Sequence, residues 1–136
     1  MLRDPSLIPL SHEHQHALAL CVLIDRSTAD PDAQARMIVD QYDAEIKSHF
    51  EIEERVLFPV AAALVETSGL TDELVAEHGH LRALVESLRA RGEKAAIAEF
   101  TAMLRQHVRK EESILFEQMQ RLLSREELDS IGKLLK

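Results

Sequence analysis

The chain has 136 residues, about the size of one ordinary domain. Sixteen Lys and Arg against 24 Asp and Glu leave a formal charge of −8, which argues against nucleic acid or an anionic membrane surface as a partner. The one cysteine, Cys21, excludes an intrachain disulfide, no apolar run approaches the ~20 residues of a membrane span, and no secretory signal pattern is visible, so a cytoplasmic location is expected.

Hydrophobic residues make up 46% of the sequence and aromatic residues only 4%, which predicts a core of Leu, Ile, Val and Ala. Four glycines and four prolines leave few breaks among abundant helix formers, so the expected class is all-α. A first helix is expected from a cap at Ser11 to about Arg26. Asp30-Pro31 opens the second, because proline at the first helical position gives up an N–H that has no helical partner. That helix is expected to reach Thr67, with Pro59 kinking or dividing it and Gly69 stopping it. Thr71 opens a third helix that ends near Arg91-Gly92, and a fourth runs from Glu93 to about Leu123. Ser124-Arg125-Glu126-Glu127 has capping-box spacing and starts a short fifth helix with Leu128, Ile131 and Leu135 on one side. Short connections imply antiparallel neighbours. The expected fold is an up-down antiparallel four-helix bundle over about 11–123, with a C-terminal helix over about 124–136 packed on it as part of a single domain.

The two halves repeat. Glu13-His14-Gln15-His16 matches Glu77-His78-Gly79-His80, and the ten residues from His49 to Phe58 match those from His107 to Phe116. His49-x-x-x-Glu53 and His107-x-x-x-Glu111 each place an imidazole and a carboxylate one turn apart on one helix face. Tyr42, Ile46, Val56 and Val60 share that face on the second helix, as Phe100, Leu104 and Ile114 do on the fourth, so both pairs are expected to point inward. A buried carboxylate costs several kcal/mol unless compensated, and metal coordination compensates it. Imidazole and carboxylate donors suit iron, manganese or zinc, and two carboxylates serve two ions if each bridges. On the third helix the stripe Leu74, His78, Leu81, Val85, Leu88 selects His78 over His80, and the repeat then selects His14. The candidate metal set is therefore His14, His49, Glu53, His78, His107 and Glu111. A lone inward histidine is more often a hydrogen-bonded core residue, but here the pattern occurs twice.

Other residues receive plainer readings. Glu54 and Glu112 are expected on a solvated face, with weak ligation as the alternative, Glu45 is a candidate to orient an imidazole from behind, and Tyr42 and Cys21 are expected as core. His12, His16 and His80 are left to the surface or the margin of the site.

With its second copy from His107 and the Glu-His pairs at 13–14 and 77–78, His49-Phe50-x-x-Glu53-Glu54-x-x-Leu57-Phe58-Pro59 resembles the bacterial hemerythrin-like, or HHE cation-binding, family, from about Leu7 to Leu123. The resemblance implies a non-haem di-iron centre with an oxo or hydroxo bridge, terminal ligands His14, His49, His78 and His107, and bridging Glu53 and Glu111. It further implies binding or sensing of oxygen or nitric oxide, or iron handling, more readily than a dedicated enzyme. Two features differ from the oxygen-carrying hemerythrins: Leu74 and Arg82 stand four residues either side of His78 where a His-x-x-x-His pair is needed, and the fourth-helix motif ends in Glu111 after three residues rather than in an aspartate after four. The set is similar to the four-histidine, two-glutamate sites of iron-cluster-repair HHE proteins. The alternatives are a di-iron enzyme using oxygen or peroxide, a metal-free helical interaction domain, and a ferritin-like carboxylate site. The last would use Glu13-x-x-His16 and Glu77-x-x-His80, and it leaves His49 and His107 unexplained.

Overall fold

The computed structural model describes residues 2–91 and 93–135; Gly92, the glycine expected to end the third helix, lies outside them. Among the described residues the chain forms five helices and no strand: α1 (Ile8–Arg26), α2 (31–62), α3 (Val65–Ala90), α4 (94–122) and α5 (Arg125–Leu134). Cross-helix pairs show the directions. Glu13 meets His49 while His16 meets Glu45, Glu54 meets His78 while Asp43 meets Arg89, and His14 meets Glu112 while Cys21 meets Thr101. In each case one number rises as the other falls, so neighbours are antiparallel and the bundle is up-down.

Two apolar clusters fill the ends of the bundle. One gathers Leu20, Ile38, Phe50, Leu81, Val85, Phe100 and Leu104, and the other gathers Leu10, Leu57, Leu74, Phe116 and Met119 together with Leu128 and Ile131 of α5. The apolar side of α5 thus packs on the bundle, and its N-terminus is the expected capping box on Ser124 and Glu127. Between the clusters lies a polar layer containing His14, His49, Glu53, His78, His107 and Glu111, all buried.

Three expectations about the helices are corrected. Helix α1 begins at Ile8, and Ser11 is no cap: its hydroxyl donates to Glu112 at 2.8 Å. Helix α2 ends at Ala62, and Gly69 lies inside α3 rather than ending a helix. The reason is the buried Thr67, whose hydroxyl donates to the Ala61 carbonyl at 2.6 Å and closes the helix end before the chain turns at 63–64. Thr71 bonds back to the Thr67 carbonyl within α3 instead of starting it.

Neither α2 nor α4 is a uniform α-helix. Alpha-helical stretches of α2 are separated by π turns at Tyr42–Ile46 and Glu53–Leu57, and α4 has one at Glu111–Leu115. The Phe58 N–H bonds to the Glu53 carbonyl and the Phe116 N–H to the Glu111 carbonyl, five residues back instead of four. This extra residue per turn moves the inward position after Glu111 from Ile114 to Leu115, so Ile114 is exposed where the uninterrupted period placed it in the core. It also seats Pro59 in the first turn of the resumed α-helix, where a missing N–H costs little and the helix continues undivided.

Candidate metal centre

All six predicted residues meet in the polar layer. His14 and His49 lie with Glu53 and Glu111 in one group, and His78 and His107 lie with the same two glutamates in another, each residue offering one ligand atom within 4.8 Å of the others. His14 Nε2 is 2.8 Å from Glu111, His78 Nε2 is 3.1 Å from Glu53, and the Nε2 atoms of His78 and His107 are 3.0 Å apart. Within the two helical motifs the Nε2-to-carboxylate distances are 3.3 Å for His49 to Glu53 and 3.4 Å for His107 to Glu111. Phe50 stacks on His78 with ring centroids 3.9 Å apart, and Phe116 stacks on His14 at 5.7 Å.

Three buried atoms in this layer have no hydrogen-bond partner: His49 Nε2, Glu53 Oε2 and Glu111 Oε2. Each unsatisfied buried polar atom costs about 1–3 kcal/mol, and here all three belong to residues of one four-residue group. Among the described residues no Lys or Arg forms an ion pair with Glu53 or Glu111; the imidazoles are their neighbours. A cation supplies what these atoms lack, and a donor set of imidazole nitrogens and carboxylate oxygens without thiolate suits iron, manganese or zinc.

Charge follows the same layout. Burial works against the Glu53 carboxylate, but His49, His107 and His14 outweigh it and hold its pKa well below the usual range. Burial would likewise push the histidines down, yet Glu111 and Glu112 raise His14 well above its ordinary value, Glu53 and Glu13 raise His49 to about 9, and Glu111 with Glu53 and Glu77 raises His107 well above its ordinary value. Protons therefore hold the place that a cation would take, and the two compete.

A second set of acids stands outside the first. Each inward imidazole donates its Nδ1–H to a glutamate: His14 to Glu112 at 2.6 Å, His49 to Glu13 at 2.6 Å, His78 to Glu54 at 2.8 Å and His107 to Glu77 at 2.9 Å. This corrects the expectation that Glu54 and Glu112 face solvent. Arg82 grips Glu54 with two hydrogen bonds of 2.7 and 2.8 Å, Lys110 pairs with Glu77 and Glu73, and Arg3 stands 3.5 Å from Glu112. Burial opposes charge on Glu54, Glu77 and Glu112, and hydrogen bonds led by Arg82, His107 and His14 respectively outweigh it, so all three lie below the usual carboxylate range. The available signal was an acid directly beside an inward residue in all four motif copies: Glu13-His14, Glu53-Glu54, Glu77-His78 and Glu111-Glu112.

Glu45 does not support an inward imidazole. It is exposed and pairs with His16 and Gln41. His16 and His80 are exposed, the latter against Glu99, so the Glu-x-x-His arrangement does not assemble; His12 is exposed as well. Tyr42 is core, edge-on to Phe50 at 6.2 Å. Cys21 is also core, and burial pushes its thiol up to about 11. A narrow cleft lined by Glu13, Ala17, Ile46 and Leu104 reaches His14, His49 and His107. Among the described residues no helix is long and apolar enough to cross a membrane.

A family model described as the hemerythrin HHE cation binding domain matches residues 9–119. No curated protein and no solved structure gives a match.

Proposed function

Because the chain belongs to the hemerythrin HHE cation-binding domain family, we propose that its buried centre holds two non-haem iron ions and serves to bind or sense a small diatomic ligand, oxygen or nitric oxide. The single observation behind this reading is that the six inward residues form two four-residue groups with Glu53 and Glu111 common to both. Shared carboxylates are what a pair of neighbouring ions needs, since each carboxylate has one oxygen for each ion. One ion would be held by His14 and His49, the other by His78 and His107, with Glu53 and Glu111 between them. When bound, a pair of irons supplies redox chemistry and a coordination position for a diatomic ligand.

The protein's own groups make the rest of the site. The imidazoles present Nε2 to the centre because Nδ1–H is engaged by a carboxylate, which can only accept. Phe50 and Phe116, both fully buried, exclude water from two of the rings. The cleft beside Ala17 opens to His14, His49 and His107, a route by which a small molecule would reach the centre.

The test is iron per chain, measured with the absorption spectrum before and after reduction and after exposure to oxygen or nitric oxide. Two irons per chain and a spectrum that responds to either gas are expected. One zinc per chain with no visible absorption would sink the di-iron reading, and two irons with no response to either gas would sink the ligand-binding one.

A further inference from the structure

The four outer contacts close into a ring with one direction. Helix α1 gives Glu13 to His49 of α2, α2 gives Glu54 to His78 of α3, α3 gives Glu77 to His107 of α4, and α4 gives Glu112 back to His14 of α1. Helical geometry explains the common direction. Sequence neighbours stand about 100° apart around a helix, so when one points to the bundle axis the next points at an adjoining helix. On α1 and α3 the outer glutamate precedes the inward residue, and on α2 and α4 it follows it. Because α2 and α4 run opposite to α1 and α3, these two reversals cancel, and all four carboxylates are turned the same way round the bundle.

We propose that Glu13, Glu54, Glu77 and Glu112 are positioning residues, a closed ring that turns Nε2 of every inward imidazole to the centre and serves each ion from two different hairpins. Resting on the di-iron reading above, it pairs Glu13 with Glu112 behind the His14 and His49 position, and Glu54 with Glu77 behind the His78 and His107 position. Sequence halves would pair them otherwise, as Glu13 with Glu54 and Glu77 with Glu112. The tethers fit this role. Arg82 on Glu54, Lys110 on Glu77, and Ser11 with Arg3 on Glu112 hold three of the carboxylates outward, where they support imidazoles and do not swing in as ligands. Glu13, half exposed, has no such tether among the described residues.

The full chain loaded with ferrous iron tests this through variants at all four sites. Glu→Met removes the acceptor at similar length, whereas Glu→Gln keeps an acceptor oxygen. Iron per chain and affinity, the latter by chelator competition, are the readouts. Each Met variant is expected to weaken one ion by about 10–100-fold, with most of the loss recovered in the Gln variant. The doubles Glu13→Met with Glu112→Met and Glu54→Met with Glu77→Met should each retain one tightly held iron, while Glu13→Met with Glu54→Met should weaken both. Unchanged affinity in the four Met variants, equal losses for Met and Gln, or doubles that follow the sequence halves would overturn the ring. Fewer than two irons in the unmodified chain would instead overturn the di-iron reading, and the ring with it. A measurement that needs no variant is the imidazole ¹⁵N spectrum of the zinc-loaded chain: His14, His49, His78 and His107 should all carry their proton on Nδ1, and a metal-bound Nδ1 at any of them overturns the proposal.

Discussion

The two halves of the centre carry the same ligand types and sit in different surroundings. On one side His78 is wholly buried beneath Phe50, and the glutamates behind His78 and His107 are anchored by Arg82 and Lys110. On the other side Glu13, behind His49, is half exposed with no cation against it among the described residues. A sequence repeat therefore duplicates ligands without duplicating their environment. What separates the halves is which residues of the neighbouring helices happen to lie against each ligand.

The largest effect expected is one that breaks the distinction altogether. Replacing Glu53 or Glu111 by Ala should remove both ions from the protein, because each carboxylate belongs to both groups; metal analysis that still finds one ion would show that the halves are independent. Stripping the metal with a chelator comes next. Ligand present at a thousand times its Kd stabilises the folded state by about 4 kcal/mol, so the melting temperature should fall markedly on chelation and recover on adding ferrous iron.

The pH dependence sharpens the comparison, because the metal-free and loaded forms should respond in opposite senses. His49 has a folded pKa of about 9 against an ordinary 6.5, so its contribution to metal-free stability is full below 6.5 and is lost as pH rises through 9. Glu53 is depressed, so its contribution is present above 4.5 and is lost as pH falls through its folded value. Metal-free protein should therefore be most stable between about pH 4.5 and 6.5, the two ordinary values. Iron affinity should instead rise from pH 6 to 9, with protons released on loading. Melting curves and a pH-stat titration at constant ionic strength check both, and parallel trends would refute the competition between protons and metal.

The smallest expected effect separates the halves. Arg82→Ala frees Glu54 and should weaken the ion held by His78 and His107 by a few-fold, less than the loss expected for a direct imidazole partner, while leaving the ion at His14 and His49 unaffected. Chelator release followed in time should show one iron per chain leaving sooner than in the unmodified protein, and equal acceleration of both would argue against two separately supported positions.

Much of this was legible in the sequence. The helix start at Asp30-Pro31, the capping box at Ser124 and the inward stripe from Leu74 to Leu88 follow local rules, and each occurs as expected. The six inward residues were legible because two copies of one pattern agreed on which face is buried. Helix ends and outer contacts were less so. Gly69 suggested a stop that Thr67 supplied earlier through a hydrogen bond to Ala61, and the outward turn of Ile114 depends on a π turn that a fixed period of 3.6 does not describe.

By itself the sequence determined an all-helical chain, the repeat, and which histidines and glutamates face inward, because these depend on periodicity and on the cost of burying charge. The tertiary structure alone decided which glutamate stands behind which histidine and which of those glutamates is anchored. Those contacts join residues 24 to 98 positions apart on different helices, and only the packed bundle sets their distance.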